Sequence, residues 1–171
     1  IPLSIMSRAE LYRQTMTDNW VNGLFYGMLI IMLVYNMFLF LSIRGKDYLF
    51  YSLYIASFLM ASVAIRGHGA QYLWPGTPLL SDSSLYNYFF LSFYILFIRE
   101  FMSTRLLSPL LDRASLAVAA VGAAGIVLNL IFVNSMKVMV LSIVMGFMTV
   151  LLTLFISGVG LYRKARQVNF F

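Results

Sequence analysis

Residues 23–43 read GLFYGMLIIMLVYNMFLFLSI, and this stretch decides the fold class. It runs for 21 residues without a charged side chain and is stopped by Arg44 and Lys46. At about 1.5 Å of rise per residue, a helix of that length matches a hydrocarbon core of about 30 Å. The stretch therefore predicts a membrane span.

The composition of the whole chain supports this prediction. Hydrophobic residues make up 61% of the 171 residues and charged residues only 11%, whereas a soluble domain has about 25% charged residues. Long apolar runs exclude a transmembrane barrel, whose strands would alternate over about 10 residues. The net charge of +6 does not indicate a nucleic-acid partner, because the basic residues stand at the ends of apolar runs.

The sequence predicts an all-α polytopic bundle with five spans. They cover residues 21–43, 48–65, 84–102, 114–133 and 138–162. Residues 1–20 are too polar to span and form a periplasmic or interfacial segment, either a short surface helix from Ser7 to Trp20 or the tail of a preceding outer domain. Residues 21–171 form the transmembrane domain. Residues 66–82 are rich in Gly, Pro and Asp, which predicts a loop.

The basic residues predict the orientation, because cytoplasmic loops carry an excess of Lys and Arg. Eight basic residues fall on one side of the five spans and four on the other. The larger set is Arg44, Lys46, Arg99, Arg105, Arg113, Arg163, Lys164 and Arg166. The smaller set is Arg8, Arg13, Arg66 and Lys137. We therefore expect the N-terminus outside and the C-terminus in the cytoplasm.

Small and amide residues within the spans are the candidate helix-packing or switch positions. They are Gly23, Gly27, Asn36, Gly122, Gly125 and Asn129. Glycines four apart let another helix approach closely, and packing within the chain is favoured over a dimer seam. The two amides need hydrogen-bond partners in a dry environment, which favours interhelical clamps over a ligand pocket or switch.

The loop at residues 66–82 is the candidate surface for coupling to an outer domain. Its candidate residues are Gly67, His68, Gly69, Tyr72, Trp74 and Pro75. His68 is the only histidine, cysteine is absent, and the nearest carboxylate is Asp82. A metal site needs at least three such ligands, so we predict no metal and no cofactor.

Basic residues on the predicted cytoplasmic side are candidate membrane anchors. We expect Arg44, Lys46, Arg99, Arg163, Lys164 and Arg166 to hold the cytoplasmic ends of the spans at the headgroups. Glu100 follows Arg99 but points about 100° away from it, so the two cannot simply pair. A buried Glu100 paired to Arg44, Lys46 or Arg105 is the alternative. The sequence has none of the common catalytic motifs: no GxSxG nucleophile elbow, no HExxH zinc-binding helix, no Walker loop and no paired intramembrane carboxylates. We therefore predict no enzyme activity in this chain.

The order of several short motifs resembles a known family. The matching stretches are Phe25-Tyr26-Gly27, Leu33-Val34-Tyr35-Asn36, Asp47-Tyr48-Leu49, G-x-G-x-Q-Y-L-W-P over residues 67–75, Phe97-Ile98-Arg99-Glu100-Phe101-Met102 and Leu111-Asp112-Arg113. Together they resemble the membrane domain of the bacterial seven-transmembrane receptors with diverse intracellular signalling modules. The resemblance covers residues 20 to about 113.

The resemblance implies a receptor architecture. The family pattern has seven spans, so the last two are expected beyond Phe171. It implies a periplasmic domain before the first span and, after the last, an output module such as a histidine kinase or diguanylate cyclase of a two-component or similar system. A homodimer in the bacterial inner membrane fits this reading. The alternatives are a transporter or channel fragment and a passive anchor that only dimerises an enzyme.

Overall fold

The computed structural model describes residues 8–77, 80, 82–133 and 135–168. Within these residues the chain is all helix, with no strand. The helices are α1 (Arg8–Ile43), α2 (Lys46–Ile65), α3 (Ser83–Phe101), α4 (Thr104–Leu107), α5 (Pro109–Ile131) and α6 (Met136–Val168). A single wide π-helical turn, Gly69–Leu73, lies between α2 and α3. The predicted all-α helical bundle is confirmed.

Helix α1 is longer than the first predicted span. It runs without a break for 36 residues, so the segment that the sequence predicts as a separate surface helix is its first part. The apolar portion, Met16–Ile43, has the length and composition of a membrane span. Only Arg44 and Gly45 separate α1 from α2, and Arg44 makes this turn with a left-handed φ of 59°.

In the part of the chain that the structure describes, four helices are long and apolar enough to cross a membrane. They contain Met16–Ile43, Lys46–Ile65, Pro109–Ile131 and Met136–Tyr162. Helix α3, the third predicted span, is a further helix of 19 residues that does not reach the same apolar character, because it carries Asn87, three tyrosines and the Arg99-Glu100 pair. The position of α3 permits these polar side chains, because α2, α5 and α6 are its neighbours in the bundle. A helix covered by protein can keep polar groups that lipid would exclude.

Aromatic rings join α2 to α3. The Tyr54 ring lies 5.0 Å from the Phe90 ring and 5.5 Å from the Tyr94 ring, centroid to centroid. Tyr51 and Phe97 are 5.0 Å apart one turn further along. Such pairs contribute about 0.5–1.5 kcal/mol each beyond the area they bury. Phe90, Tyr94 and Phe97 of α3 are therefore part of the interface with α2.

Helix α5 begins earlier than predicted. The sequence predicts a connector over residues 103–113, but α4 occupies Thr104–Leu107 and α5 starts at Pro109. Proline suits the first turn of a helix because its missing N–H has no partner there anyway. Ser103 adopts a left-handed φ of 47° and directs the chain from α3 into this corner. We call this end of the bundle the short-loop end, and the end that holds residues 66–82 the long-loop end.

Candidate functional site

At the short-loop end, a buried ion pair joins α3 to α5. Arg99 Nε donates to Asp112 Oδ1 at 2.7 Å, and its Nη2 donates to Oδ2 at 3.2 Å. The arginine is only 9% exposed. A two-pronged contact of this kind fixes both side chains more strictly than a single hydrogen bond.

Asp112 makes two further contacts with α4, a hydrogen bond from Thr104 and a longer ion pair with Arg105. Thr104 Oγ1 lies 3.3 Å from Asp112 Oδ1, and the exposed Arg105 has its Nε at 3.8 Å from the same oxygen. The carboxylate of α5 therefore holds α3 and α4 together. The prediction that Arg99 reaches out to the headgroups is wrong, because its guanidinium turns inward to a carboxylate thirteen residues further along the chain.

The other predicted anchors have different surroundings. Arg44 and Lys46 are exposed at the α1–α2 turn, where a headgroup contact stays a prediction. Glu100 is half-buried and forms no ion pair within the described part of the chain, where Asp112 is the acidic partner of both recorded pairs. The side chains of Arg163, Lys164 and Arg166 lie outside the described residues, although the backbone of α6 continues through them.

At the long-loop end, a second buried polar contact again joins α3 to α5. Asn129 of α5 is fully buried and donates from Nδ2 to Asp82 Oδ2 at 3.0 Å. Asp82 precedes α3 and caps it, since its Oδ1 accepts from the backbone N–H of Ser84 at 2.8 Å. Asn129, which the sequence predicts as an interhelical clamp, is thus hydrogen-bonded to the residue that caps α3. Among the residues that the structure describes, Asn129 Oδ1 has no hydrogen-bond partner.

Between these two polar contacts, glycines bring α5 close to its neighbours. A Cβ built on Gly125 would lie 2.8 Å from Tyr88 Cζ, and one on Gly122 would lie 2.6 Å from Met145 Cε of α6. Both distances are shorter than real Cβ contacts allow. The Tyr88 hydroxyl is fixed in turn by donating to the carbonyl of Val138 at 2.8 Å.

The other predicted packing residues do not make interhelical contacts within the described chain. No atom there lies within 4 Å of a Cβ built on Gly23 or on Gly27, so the close approach that the sequence favours for this pair is not found. Asn36 donates to the carbonyl of Met32 in its own helix at 2.8 Å. Helix α1 therefore presents an open face at Gly23 and Gly27, while Asn36 lies on the opposite side of the helix.

The long loop contacts α1 through two ring interactions. The hydroxyl of Tyr26 and Nδ1 of His68 are 3.2 Å apart, and the two rings meet edge to face at 6.0 Å. The Arg66 guanidinium lies over the Phe25 ring at 5.8 Å, a cation–π geometry. The Phe25-Tyr26 stretch of α1 and the start of the loop thus form one contact surface.

The rest of the predicted coupling loop is shaped by glycine and tryptophan. Gly67 takes a positive φ of 74° where α2 ends, and Gly69 leaves room for the Trp74 ring, whose Cε2 would lie 2.7 Å from a Cβ at that position. Trp74 also stacks near Tyr86 of α3, with centroids 6.1 Å apart. Pro75 is exposed. Tyr72 belongs to the π-helical turn, and its side chain lies outside the described residues.

Two adjoining cavities open between α1 and the long loop. The larger, of about 550 Å³, is lined by Asp18, Asn19, Val21, Asn22, Arg66 and His68. The smaller, of about 420 Å³, is lined by Asn19, Asn22, Gly23, Tyr26, Val63, His68 and Leu73. We call the two together the α1–loop cleft. Among the described residues no cluster of three or more His, Asp or Glu side chains suited to a metal ion is found.

Sequence reasoning missed the residues that make these sites. Asp112, Thr104 and Asp82 lie in segments that the sequence predicts to connect the spans, and no pattern in the sequence pairs them with Arg99 or Asn129. A buried charge needs a partner, so the position of Arg99 inside an apolar run was a signal that a carboxylate had to lie nearby. The contact between Tyr26 and His68, 42 residues apart, has no local signal.

The fold and these contacts define a multi-pass α-helical membrane protein whose polar contacts lie at the two ends of the bundle. A family model described as "7TM diverse intracellular signalling" matches residues 18–171, and the chain belongs to this family. It is therefore a transmembrane sensor or signalling domain of that class. The match extends well past residue 113, where the recognisable motifs end. No curated protein and no solved structure matches the chain.

Proposed function

We propose that this domain relays a signal across the inner membrane of a bacterium, from its long-loop end to a cytoplasmic output module. The observation that carries the proposal is the double attachment of α3 to α5. Asp82 and Asn129 join the helices at one end, and Arg99 and Asp112 join them at the other. Two helices fixed at both ends can move as one body.

A relay also needs a part that moves against that body. Helix α1 contacts α2 extensively and leaves Gly23 and Gly27 uncovered within the described chain. The contact of Tyr26 with His68 ties α1 to the long loop, where an outer domain would act. A signal works by favouring one of two helix arrangements of similar free energy, and the α1–loop contact is the place where the two arrangements would differ.

The output module is proposed to lie in the same polypeptide, as a histidine kinase, a diguanylate cyclase or a similar enzyme. The domain of this family is not itself catalytic. Coupling to the module would pass through the short-loop end, where Arg105 and Leu106 are exposed beside the Arg99–Asp112 pair.

A domain exchange tests the relay. The whole transmembrane domain of the intact receptor is replaced by an unrelated dimerising helix, and output activity is measured with and without the stimulus at equal expression. We expect basal output to persist and the response to the stimulus to vanish. A retained response would show that the bundle is only an anchor.

The passive anchor is the second candidate, because the open glycine face of α1 is also suited to pairing with another helix. Crosslinking of receptors that differ only at Gly27 separates the two candidates. An anchor loses dimerisation and basal output together, whereas a relay changes its response to the stimulus.

A further inference from the structure

We propose that the α1–loop cleft binds a zwitterion that carries a phosphate and a primary ammonium, as in the headgroup of an ethanolamine phospholipid. The inference deepens the proposed function, since it names the ligand class at the input end of the relay. It rests on three features of the cleft: its separated charges, its amide and ring donors, and its apolar inner wall.

The first feature is a pair of opposite charges that share one cavity. Asp18 of α1 and Arg66 at the end of α2 both line the larger cavity of about 550 Å³. The described residues hold ion pairs between Arg99 and Asp112 and between Arg105 and Asp112, but none between Asp18 and Arg66. A ligand with both charges can bridge the two side chains, which neither an anion nor a cation alone can do.

The second feature is the fixed position of the cationic side. The Arg66 guanidinium is held over the Phe25 ring at 5.8 Å, and the His68 ring is held against Tyr26. Arginine is suited to phosphate because its planar fork donates two parallel hydrogen bonds. Asn19 and Asn22 line both cavities and add amide groups that can donate or accept.

The third feature is the change of character with depth. Gly23, Val63 and Leu73 line the smaller cavity but not the larger one. Gly23 lies further along α1 into the span than Asp18, and Val63 lies further along α2 into the span than Arg66. A polar mouth above an apolar wall at the end of two membrane helices suits an amphiphile whose acyl chains continue into the bilayer.

The same headgroup chemistry is found in a lipid and in soluble phosphoethanolamine, and one experiment separates these sources. The intact receptor is equilibrated with equal amounts of ethanolamine, choline and glycerol phospholipids. It is then transferred to detergent, and the retained lipids are counted by native mass spectrometry. Soluble phosphoethanolamine is offered in a second arm, to receptor in vesicles of glycerol phospholipid alone. Lipid selectivity without soluble binding identifies the lipid, and soluble binding identifies the free zwitterion.

Two charge-removing variants locate the site. Arg66→Gln and Asp18→Asn should each lower retention of the ethanolamine ligand about tenfold, the effect of one charged hydrogen bond. Arg113→Gln and Glu100→Gln, at the opposite end, are matched controls and should leave retention unchanged. Both cleft charges are exposed, so these variants should fold, and the comparison of lipids on the wild-type receptor needs no variant.

Equal retention of the three lipids together with no soluble binding would overturn the proposal, as would equal retention by the cleft and control variants. The relay is tested separately by the domain exchange. Selective binding in a receptor whose response does not need the bundle would reject the relay and keep the binding site. A failed binding test beside a bundle-dependent response would reject the binding site and keep the relay.

Discussion

At the scale of single residues, the same residue type has different roles in different helices. A Cβ at Gly125 would overlap the Tyr88 ring, and one at Gly122 would overlap Met145. At Gly23 and Gly27, in contrast, no described atom outside the backbone of α1 lies within 4 Å of an added Cβ. Asn129 donates a hydrogen bond to Asp82, the cap of a neighbouring helix, while Asn36 donates to a carbonyl of its own helix. The surroundings of a glycine or an amide, and not its identity, determine what it contributes.

Gly125→Val should destabilise the bundle. The added Cβ would overlap the Tyr88 ring, and such overpacking costs about 1–3 kcal/mol. The measurement is thermal unfolding of the purified protein in detergent. Gly146→Ala is the control, because its Cβ would meet Leu91 Cδ1 at an ordinary 3.8 Å. Equal midpoints for the two variants would contradict the close approach of α5 to α3.

Arg99→Gln and Asp112→Asn should each destabilise the protein much more than Arg105→Gln. Either of the first two changes leaves a poorly exposed charge without its partner, whereas Arg105 is 68% exposed at its side chain, where ion pairs contribute little. Unfolding midpoints of the three variants give the comparison. The double change Arg99→Met with Asp112→Leu should recover much of the loss, because the only charge that it leaves without this partner is the exposed Arg105.

At the scale of elements, α3 determines how the bundle is arranged. It contacts α2 through close, tilted aromatic rings, and it contacts α5 through two polar contacts and the glycine face. Buried serines such as Ser92 donate to the carbonyl four residues earlier in the same helix, so their hydroxyls need no other partner. This long helix, which falls short of the apolar character of a membrane span, is central because its polar groups have partners there.

Asp82→Ala should weaken the start of α3 and its attachment to α5. The change removes the acceptor for the Ser84 N–H, a cap that contributes about 1 kcal/mol, and also the partner of Asn129. Hydrogen exchange of the first turn of α3 is the measurement, and we expect faster exchange there than in α2. Asp82→Asn keeps a capping oxygen and serves as control. Unchanged protection in the alanine variant would contradict the role of this cap.

At the scale of the whole molecule, the contacts divide the bundle unevenly. Helices α3 and α6 supply the buried cluster of Tyr88, Leu91, Val138 and Met145, and Val118 and Ile126 of α5 pack against it, while α1 adds ring contacts at the long-loop end. Many large apolar side chains of α1 are exposed, as a membrane span requires. A relay in which α1 moves against the α3–α5 pair follows from this unequal attachment.

Gly27→Leu should leave the stability of the bundle within about 0.5 kcal/mol, because no described atom outside the backbone of α1 lies within 4 Å of a Cβ added at this position. It should still change self-association or the stimulus response of the intact receptor. Gly158→Leu, at another open glycine, is the matched control on α6. If wild type and Gly27→Leu have the same output and the same self-association at equal expression, the proposal that this face of α1 has a partner is contradicted.

The orientation of the bundle also belongs to this scale and is predicted from charge alone. A reporter enzyme that works only in the cytoplasm, fused after Phe171, should be active because eight of the twelve basic residues lie on that side. The same fusion with a reporter that works only outside the cytoplasm should be silent. The opposite pair of activities would reverse the topology.

The sequence by itself determined the class of this protein and its helices. Apolar runs such as residues 23–43 need a membrane and must satisfy their backbone within helices, a constraint that acts locally. It therefore predicted the five long helices and, through short motifs, the receptor family. The helix boundaries in the structure differ from the predicted ones at residues 8–20, which belong to α1, and at residues 103–113, where α4 and the start of α5 lie.

Only the tertiary structure decided which polar side chains meet. Arg99 with Asp112, Asn129 with Asp82 and Tyr26 with His68 are contacts between residues 13 to 47 positions apart. Such pairs depend on how helices rotate and cross, and each helix sequence is compatible with several rotations. Packing of rings and glycines selects one of them, so the clamps and the α1–loop cleft follow from the assembled bundle and not from any single stretch of chain.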